Sequence, residues 1–397
     1  MWSRWLIKGP KVTRVYIGCF GSGLGHAARM LGVAGLLTAR GASVEFSSSG
    51  EVATFIERRG YRCNRLPLVD ARYSEAGELL LRETLVASPS ILVGAFRQLG
   101  RELSSIERFS PDAVLSDSSL PTVLAAKILE LPAFTVLNQL NLTGPHYRGS
   151  AVVRLFSLAL SSVVGKLWEL SDEVFLPDLP PPYTISEKNL WESDVGKTRY
   201  VGFLPMPGTG ELDDATVEFS SDRRPKVFWQ VSGPPKTRAD FLKRALECAE
   251  ALADEYVFVV SGGSPTAGRT ATQIPGGWSY GWCDIADIYF KSCDLVVSRA
   301  GHGTIGQSLT NSKPSLIVPI AKQPEQEGNA EKAVRLGISL TLSQRDLNPA
   351  EVRKALNELS KPGYLAEARK LGTFSSSFDA QAEVVRAVEA AANEPLR

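Results

Sequence analysis

Twice along the chain an apolar strand-length run meets a glycine-rich turn and then a stretch of helical period, and this repeated unit restricts the fold more than any other feature. In the first instance Val12-Thr-Arg-Val-Tyr-Ile-Gly18 is followed by Gly21-Ser-Gly-Leu-Gly25, and helical apolar spacing then runs from His26 to Arg40. In the second, a strand over Asp294–Ser298 leads into Ser298-Arg-Ala-Gly-His-Gly303-Thr304. Further strands are expected at 43–47, 112–117, 133–137, 226–231, 257–261 and 315–319. Helices are expected at 51–59, within 75–109, at 122–129 and 238–253, from near Thr304 and Gln326, and at 378–393. Such alternation implies an α/β fold whose parallel sheets carry helices on both faces.

With 397 residues the chain is long for one core and suits two domains with a cleft between them. Pro177-Asp-Leu-Pro-Pro-Pro182 and the Gly/Pro-rich segment 202–214 interrupt the alternation and read as the passage from one to the other. The boundaries expected are 1–203 and 204–375, with a terminal helical segment over 376–397.

Composition narrows the class. Hydrophobic residues make up 44% and charged residues 22%, and no uncharged apolar run reaches the roughly 18 residues that a membrane-spanning helix needs. The opening Met1-Trp-Ser-Arg-Trp-Leu-Ile-Lys8 has no apolar signal core, so a cytoplasmic location is expected. Five cysteines, odd in number and without C-x-x-C spacing, read as reduced buried thiols, neither bridges nor zinc ligands. Residues 1–160 carry 18 Lys/Arg against 12 Asp/Glu. That surplus suits an anionic ligand or surface near the first domain and is too diffuse for a nucleic-acid tract.

Gly21, Gly23 and Gly25 fall where a strand turns into a helix, so bare amides can approach a ligand and the helix N-terminus favours negative charge. A dinucleotide fingerprint would need glycine where His26 stands and an acid after Phe46-Ser-Ser-Ser49, and both are missing. His26 at the helix start can serve as a general base or simply pack. Asp117, ending a buried strand at the same sheet edge, can fix the imidazole tautomer or cap the following helix, a task equally open to Ser116, Ser118 and Ser119.

In the second half, amides from Gly301, His302, Gly303 and Thr304 can hold a diphosphate with charge from Arg299; the alternative is a tight turn with the arginine in solvent. Ser232-Gly233 and Ser261–Ser264 form further turns at that edge. Glu325-Gln326 with Asn329 offers adjacent acceptors and donors for sugar hydroxyls, although the spacing equally fits an acidic first helical turn.

Together these residues resemble the GT-B glycosyltransferases, in particular the MurG-like branch, with similarity also to the UDP-glucuronosyl and plant UDP-glycosyltransferases. Gly21-x-Gly-x-Gly25-His26-x-x-Arg29 looks like the family's first glycine loop. Pro111–Asp117 with Asn138-Gln-Leu-Asn141 resembles the next acceptor-side block, and Val201-Gly-Phe-Leu-Pro205 the strand entering the second domain. Trp282-Cys283-Asp284 occupies the place where the family covers and reads the uracil, and Glu325-Gln326-x-x-Asn329-Ala330 matches its donor-sugar motif.

The resemblance implies two Rossmann-like domains, the first for the acceptor and the second for the nucleotide sugar, with the terminal helix packing back on the first. It implies an inverting hexosyltransferase that moves a hexose or N-acetylhexosamine from a UDP-linked donor to a hydroxyl. His26 and Asp117 would be catalytic. Gly23, Gly25, Ser232, Gly233, Trp282, Cys283, Arg299, Gly301, His302, Gly303, Thr304 and Gln307 would hold the nucleotide and diphosphate, and Glu325, Gln326 and Asn329 the sugar. Gln307 stands where the family's ribose-binding glutamate is usual, and an amide can still pair with one hydroxyl each way. No Asp-x-Asp pair occurs, so neither a resident metal nor another cofactor is expected.

Ser150–Leu170, Leu79-Leu-Leu-Arg82 and Ile91–Phe96, with Trp2, Trp5, Arg4, Lys8 and Lys11, are either core-facing helix or a patch that docks peripherally on a bilayer and admits a lipid-linked acceptor. A GT-B sugar-nucleotide epimerase and a catalytically silent donor-binding subunit are the alternative functions.

Overall fold

The computed structural model describes residues 12–69, 88–139, 165–190, 197–206, 208, 210–233 and 235–393. The first lobe runs β1 (Arg14–Cys19), α1 (Leu24–Ala39), β2 (Ser43–Ser48), α2 (Gly50–Arg58), β3 (Cys63–Arg65), α3 (Ser88–Phe109), β4 (Ala113–Asp117), α4 (Leu120–Ile128), β5 (Ala133–Val136), β6 (Glu173–Leu176), α5 (Glu187–Leu190) and β7 (Thr198–Tyr200). Its strands form one parallel sheet in the order β3-β2-β1-β4-β5-β6-β7.

The second lobe follows with α6 (Asp214–Ser221), β8 (Lys226–Gln230), α7 (Pro235–Ala251), β9 (Val257–Ser261), β10 (Thr272–Ile274), β11 (Gly277–Tyr280), α8 (Ala286–Ser292), β12 (Leu295–Ser298), α9 (His302–Thr310), β13 (Ser315–Ile317), α10 (Pro324–Arg335), β14 (Ser339–Thr341), α11 (Pro349–Leu359), α12 (Pro362–Ser375) and α13 (Ala380–Asn393). The order of its sheet is β10-β11-β9-β8-β12-β13-β14, and only the β10–β11 pair is antiparallel.

The central strands read as unbroken apolar runs because helices cover both their faces: Val15, Tyr16 and Ile17 of β1 and Val227, Phe228 and Trp229 of β8 are wholly buried. In each sheet the strand order reverses beside the first strand, at β1/β4 and at β8/β12. A doubly wound sheet opens its ligand crevice there, at the carboxyl ends of the strands. Register sharpens the point, since Cys19 pairs with Asp117 and Gln230 with Ser298.

The expected long strands and helices are present within a few residues. The short strands β3, β6, β7, β10, β11 and β14 were not expected, because three or four residues cannot display a period. Two expectations are corrected. Val201-Gly-Phe-Leu-Pro205 is not a strand of the second lobe: Thr198–Tyr200 is the edge strand of the first sheet, and Val201 and Leu204 pack into the first lobe's core. The Pro177–Pro182 segment is likewise not the passage between lobes. Just past β6 this part of the chain lays Leu179, and then Ile185, against Ala300, Ile305 and Ile317 of the second lobe, and the next described strand, β7, belongs again to the first sheet. Helix α13 places Val384, Val385 and Val388 in the first lobe's core beside Val33 and Leu37.

The 75–87 part of the expected helix, most of Ser150–Leu170, Leu79–Arg82, Asn141 and the amino-terminal Trp2, Arg4, Trp5, Lys8 and Lys11 lie outside the described residues.

Candidate active site

The turn after β1 is built for close approach. A Cβ on Gly21 would lie 1.8 Å from Ser49 Oγ, and Gly23 has φ 85°, a left-handed value that favours glycine. Gly23 is also the N-cap of α1, with neither a capping side chain nor an acidic residue in the first turn. The helix therefore presents its leading amides and positive dipole end at the β1/β4 crevice.

His26 sits in that first turn, about one-fifth exposed, with its ring edge-on to Phe20 at 5.6 Å between centroids. Its Nδ1 lies 2.7 Å from Asp117 Oδ1. Arg29 Nη2 also lies 3.2 Å from this Nδ1, but the carboxylate is nearer and can only accept, so the proton is assigned to Nδ1, the guanidinium spends its hydrogens on Asp117 and Asn138, and Nε2 is left as the basic nitrogen. Asp117 is fully buried, and Arg29, three residues beyond His26 on the same helix, forks onto it through Nε and through Nη2 at 2.5 Å. Burial pushes the Asp117 carboxyl up, but the Arg29 and His26 charges outweigh it and hold the group below its ordinary range.

The neighbouring serines build the loop that presents Asp117 instead of competing with it. Ser116 Oγ donates to Ser119 O at 2.8 Å, and Thr122 Oγ1 reaches Ser119 Oγ at 2.8 Å and Glu102 Oε1 at 2.5 Å. Glu102, wholly buried on α3, also accepts from Ser47 Oγ at 2.7 Å and Tyr16 OH at 2.6 Å, joining β1, β2 and α4 beneath the crevice. Its carboxyl is pushed up by burial against the pull of those hydroxyls.

Arg29 extends the cluster towards the other lobe. Its Nη2 donates to Asn138 Oδ1 at 3.1 Å, and Asn138 Nδ2 donates to Glu325 Oε1 at 3.4 Å. Glu325 lies in the first turn of α10 in the second lobe. The expected base and the expected sugar-side carboxylate are thus joined by a short polar chain across the lobes. Helix α2 and its C-cap residue join the same two lobes further along: Phe55 meets Trp282 edge-on at 5.2 Å, and Arg59 at the cap pairs with Asp284 at 3.0 Å.

On the donor side, the loops after β8 and β12 lie together. Ser232 and Gly233 are half-buried at this edge, and Gly301 N-caps α9 with no side-chain cap and no acid in the first turn. Gly303 is exposed and Thr304 and Gln307 are half-buried.

Several expected ligand side chains are engaged elsewhere. Arg299 does not face the crevice: it is 1% exposed, lies over Phe241 at 4.1 Å, and donates to Val318 O, Thr237 O and Gln344 Oε1. Burial brings its pKa down to about 10, which leaves it charged at neutral pH but turned into the core. The His302 ring is held by Asp178, its Nε2 2.9 Å from Oδ2. Trp282 is closed against Phe55 with Nε1 on Asp284, and Cys283 points into the core, so only backbone in this stretch is left to read a base. Gln326 spends its oxygen on Ile320 N at 3.0 Å. Asn329 is wholly buried, donating to Ala300 O at 3.1 Å and accepting from Asn189. These two amides brace the donor turn and the 318–320 loop. Arg29, Asn138 and Asp178 were given no role among the expected site residues, although Arg29 and Asn138 stand within the motifs that carry the resemblance. Of the three, Arg29 carried a local signal, its i,i+3 spacing from His26.

The family model for the glycosyltransferase family 28 C-terminal domain matches residues 237–384, and that for glycosyl transferase family 1 matches residues 13–159. An uncharacterized glycosyltransferase of Methanosarcina acetivorans is 26% identical over 382 residues, covering 95% of this chain and 98% of that protein. The UDP-N-acetylglucosamine--N-acetylmuramyl-(pentapeptide) pyrophosphoryl-undecaprenol N-acetylglucosamine transferase of Cutibacterium acnes is 23% identical over 364 residues, 86% of this chain and 87% of that protein. Among solved structures, the SsfS6 glycosyltransferase of Streptomyces sp. SF2575, complexed with thymidine diphosphate, superposes with a TM-score of 0.64 at 20% identity, over 95% of this chain and 99% of that one. With two parallel-sheet lobes and matches in both, the chain is a GT-B glycosyltransferase of the MurG-like and UDP-glycosyltransferase superfamily.

Proposed function

We propose that the protein transfers a hexose or N-acetylhexosamine from a UDP-linked donor to a hydroxyl acceptor with inversion at the anomeric carbon, without a resident metal or other cofactor. The observation that carries this reading is the His26–Asp117 pair at the first lobe's switch point, joined through Arg29 and Asn138 to Glu325 of the second. The acceptor oxygen attacks the anomeric carbon and passes its proton to His26 Nε2. The bond from that carbon to the β-phosphate oxygen breaks, and its electron pair leaves with the diphosphate. Asp117 stabilises the imidazolium that forms. With Arg299 buried, stabilisation of the leaving group falls to the first amides of α9 and the turns at Gly233 and Gly301. Glu325 receives sugar hydroxyls, and Gln307 the ribose.

The donor reading is supported by the thymidine diphosphate in SsfS6 and by the UDP-sugar named for the Cutibacterium protein. A thermal-shift screen of UDP-, GDP- and dTDP-sugars, followed by product analysis, tests it. A UDP-sugar is expected to raise the melting point and give transferred product, with about 2.7 kcal/mol of stabilisation at a hundredfold excess over its Kd. Transfer should persist in EDTA. Loss of activity in chelator that Mg²⁺ restores would contradict the metal-free mechanism.

The acceptor we propose is lipid-linked, reached from the cytoplasmic face of a bilayer. Among the described residues no helix is long and apolar enough to cross a membrane, yet Leu92, Val93 and Phe96 stand exposed on α3, with Phe96 65% accessible and Arg97 and Arg101 following it on the same helix. An apolar face edged with arginine suits an anionic interface. The protein is expected to float with phosphatidylglycerol vesicles and Phe96→Ser to weaken that binding, whereas an unbound wild type removes the membrane proposal.

A further inference from the structure

Asp178 takes no part in the chemistry above, yet it is among the most heavily bonded carboxylates described. It is wholly buried just beyond β6. Its Oδ1 accepts from Leu179 N at 2.8 Å and Ile185 N at 3.0 Å, and its Oδ2 from Ser186 N at 2.8 Å, Ser186 Oγ at 2.7 Å and His302 Nε2 at 2.9 Å. Its own carbonyl accepts Gly202 N at 3.0 Å, which fixes it to the end of β7. Four of the five side-chain contacts are local. The fifth crosses to the other lobe and lands on the first residue of α9, the helix whose leading amides face the proposed diphosphate.

Everything around His302 limits its movement. The residue is 5% exposed, and its ring lies 5.5 Å from that of Phe203. A Cβ on Gly306, one turn further along α9, would stand 2.4 Å from the Phe203 ring, so helix and linker are already in contact. From below, Asn329 Nδ2 holds Ala300 O. The α9 N-terminus is therefore gripped within its own lobe by Asn329 and from the first lobe by Asp178.

Resting on the nucleotide-sugar reading above, we propose that Asp178 is a positioning residue for the donor diphosphate: through His302 it sets, from the acceptor lobe, the angle at which the α9 amides meet the phosphates. Hydrogen bonds to a phosphate oxygen depend steeply on direction, so a few degrees of helix tilt are felt at the diphosphate and much less at the nucleoside. Binding energy assigned to the second lobe is on this account partly set by the first.

The test compares UDP with uridine, titrated by NMR so that millimolar affinities stay within range. Asp178→Asn would turn an NH₂ towards the Ser186 and His302 donors and endanger the fold, so the variants are His302→Leu and His302→Gln, each with its melting point measured. His302→Leu is expected to weaken UDP binding about tenfold, the size of one hydrogen bond to a charged group, and to leave uridine unchanged. His302→Gln keeps a donor that reaches Asp178 and should recover most of the loss. An unchanged ratio of UDP to uridine affinity in His302→Leu overturns the proposal, as does a glutamine variant as weak as the leucine one. Wild-type protein that binds no nucleoside diphosphate would instead remove the donor reading, and this inference with it.

Discussion

Replacing His26 with alanine is expected to lower the rate of transfer by about two to four powers of ten while leaving UDP affinity within about twofold, the range for losing a positioned general base. The expectation follows from geometry: the imidazole is tied at Nδ1 by a carboxylate 2.7 Å away, and Nε2 is left to take a proton. Asp117→Asn should be nearly as damaging at full donor binding. Its amide would present a donor to Nδ1 and turn the ring to the tautomer with its proton on Nε2, where the acceptor needs a base. Single-turnover rates with saturating donor, set beside UDP titrations of the same variants, check both. Unchanged rates would leave His26 as a histidine packed on Phe20 and would return Asp117 to a structural role.

The parts of this arrangement that could be read from sequence are those the chain builds locally. A strand, a glycine turn and a helix start lie within about a dozen residues of each other, so the crevice position of His26 and of the Gly301–Thr304 turn follows from the pattern alone. Asp117 joined them because a buried apolar strand ending in a carboxylate has to end at the same sheet edge as its parallel neighbour. Side-chain direction was not legible in the same way. Arg299 follows a strand residue, and nothing local says whether its guanidinium turns to the crevice or, as it does, beneath Val318 and over Phe241. Trp282 is closed because α2 of the other lobe brings Phe55 to it, and His302 is occupied because Asp178 lies 124 residues earlier in the chain. Contacts made far along the chain, within the second lobe for Arg299 and between lobes for Trp282 and His302, have no period and leave no trace in spacing, which is why the expected donor-site side chains needed more correction than the positions of His26 and Asp117.

Arg29 carries the largest expected effect on stability. Its side chain is one-tenth exposed, and it supplies two of the donors on the fully buried Asp117 as well as the bond to Asn138. Arg29→Met keeps much of the volume and deletes the charge, leaving the carboxylate with His26 and a long contact from Ser118 Oγ at 3.3 Å. Breaking a buried pair on one side costs about 3–5 kcal/mol, because the remaining charge stays desolvated. The pH dependence gives the cause away. Arg29 and His26 hold the Asp117 carboxyl below its ordinary range, so its contribution to stability is present above the unfolded-state value of about 3.9 and is lost as pH falls through the lower folded value. In Arg29→Met the carboxyl rises instead, and the variant recovers part of its deficit by protonating. Urea melts should therefore show the full gap between wild type and variant at pH 7 and a smaller one at pH 4. Arg29→Lys keeps a charge but not the fork. It should recover much of the stability while transfer stays depressed, because Asp117 and Asn138 would no longer be held by one rigid group. A methionine variant within about 1 kcal/mol of wild type at pH 7 would show that Asp117 is not ionised in the fold, and the tautomer argued for His26 would lose its basis.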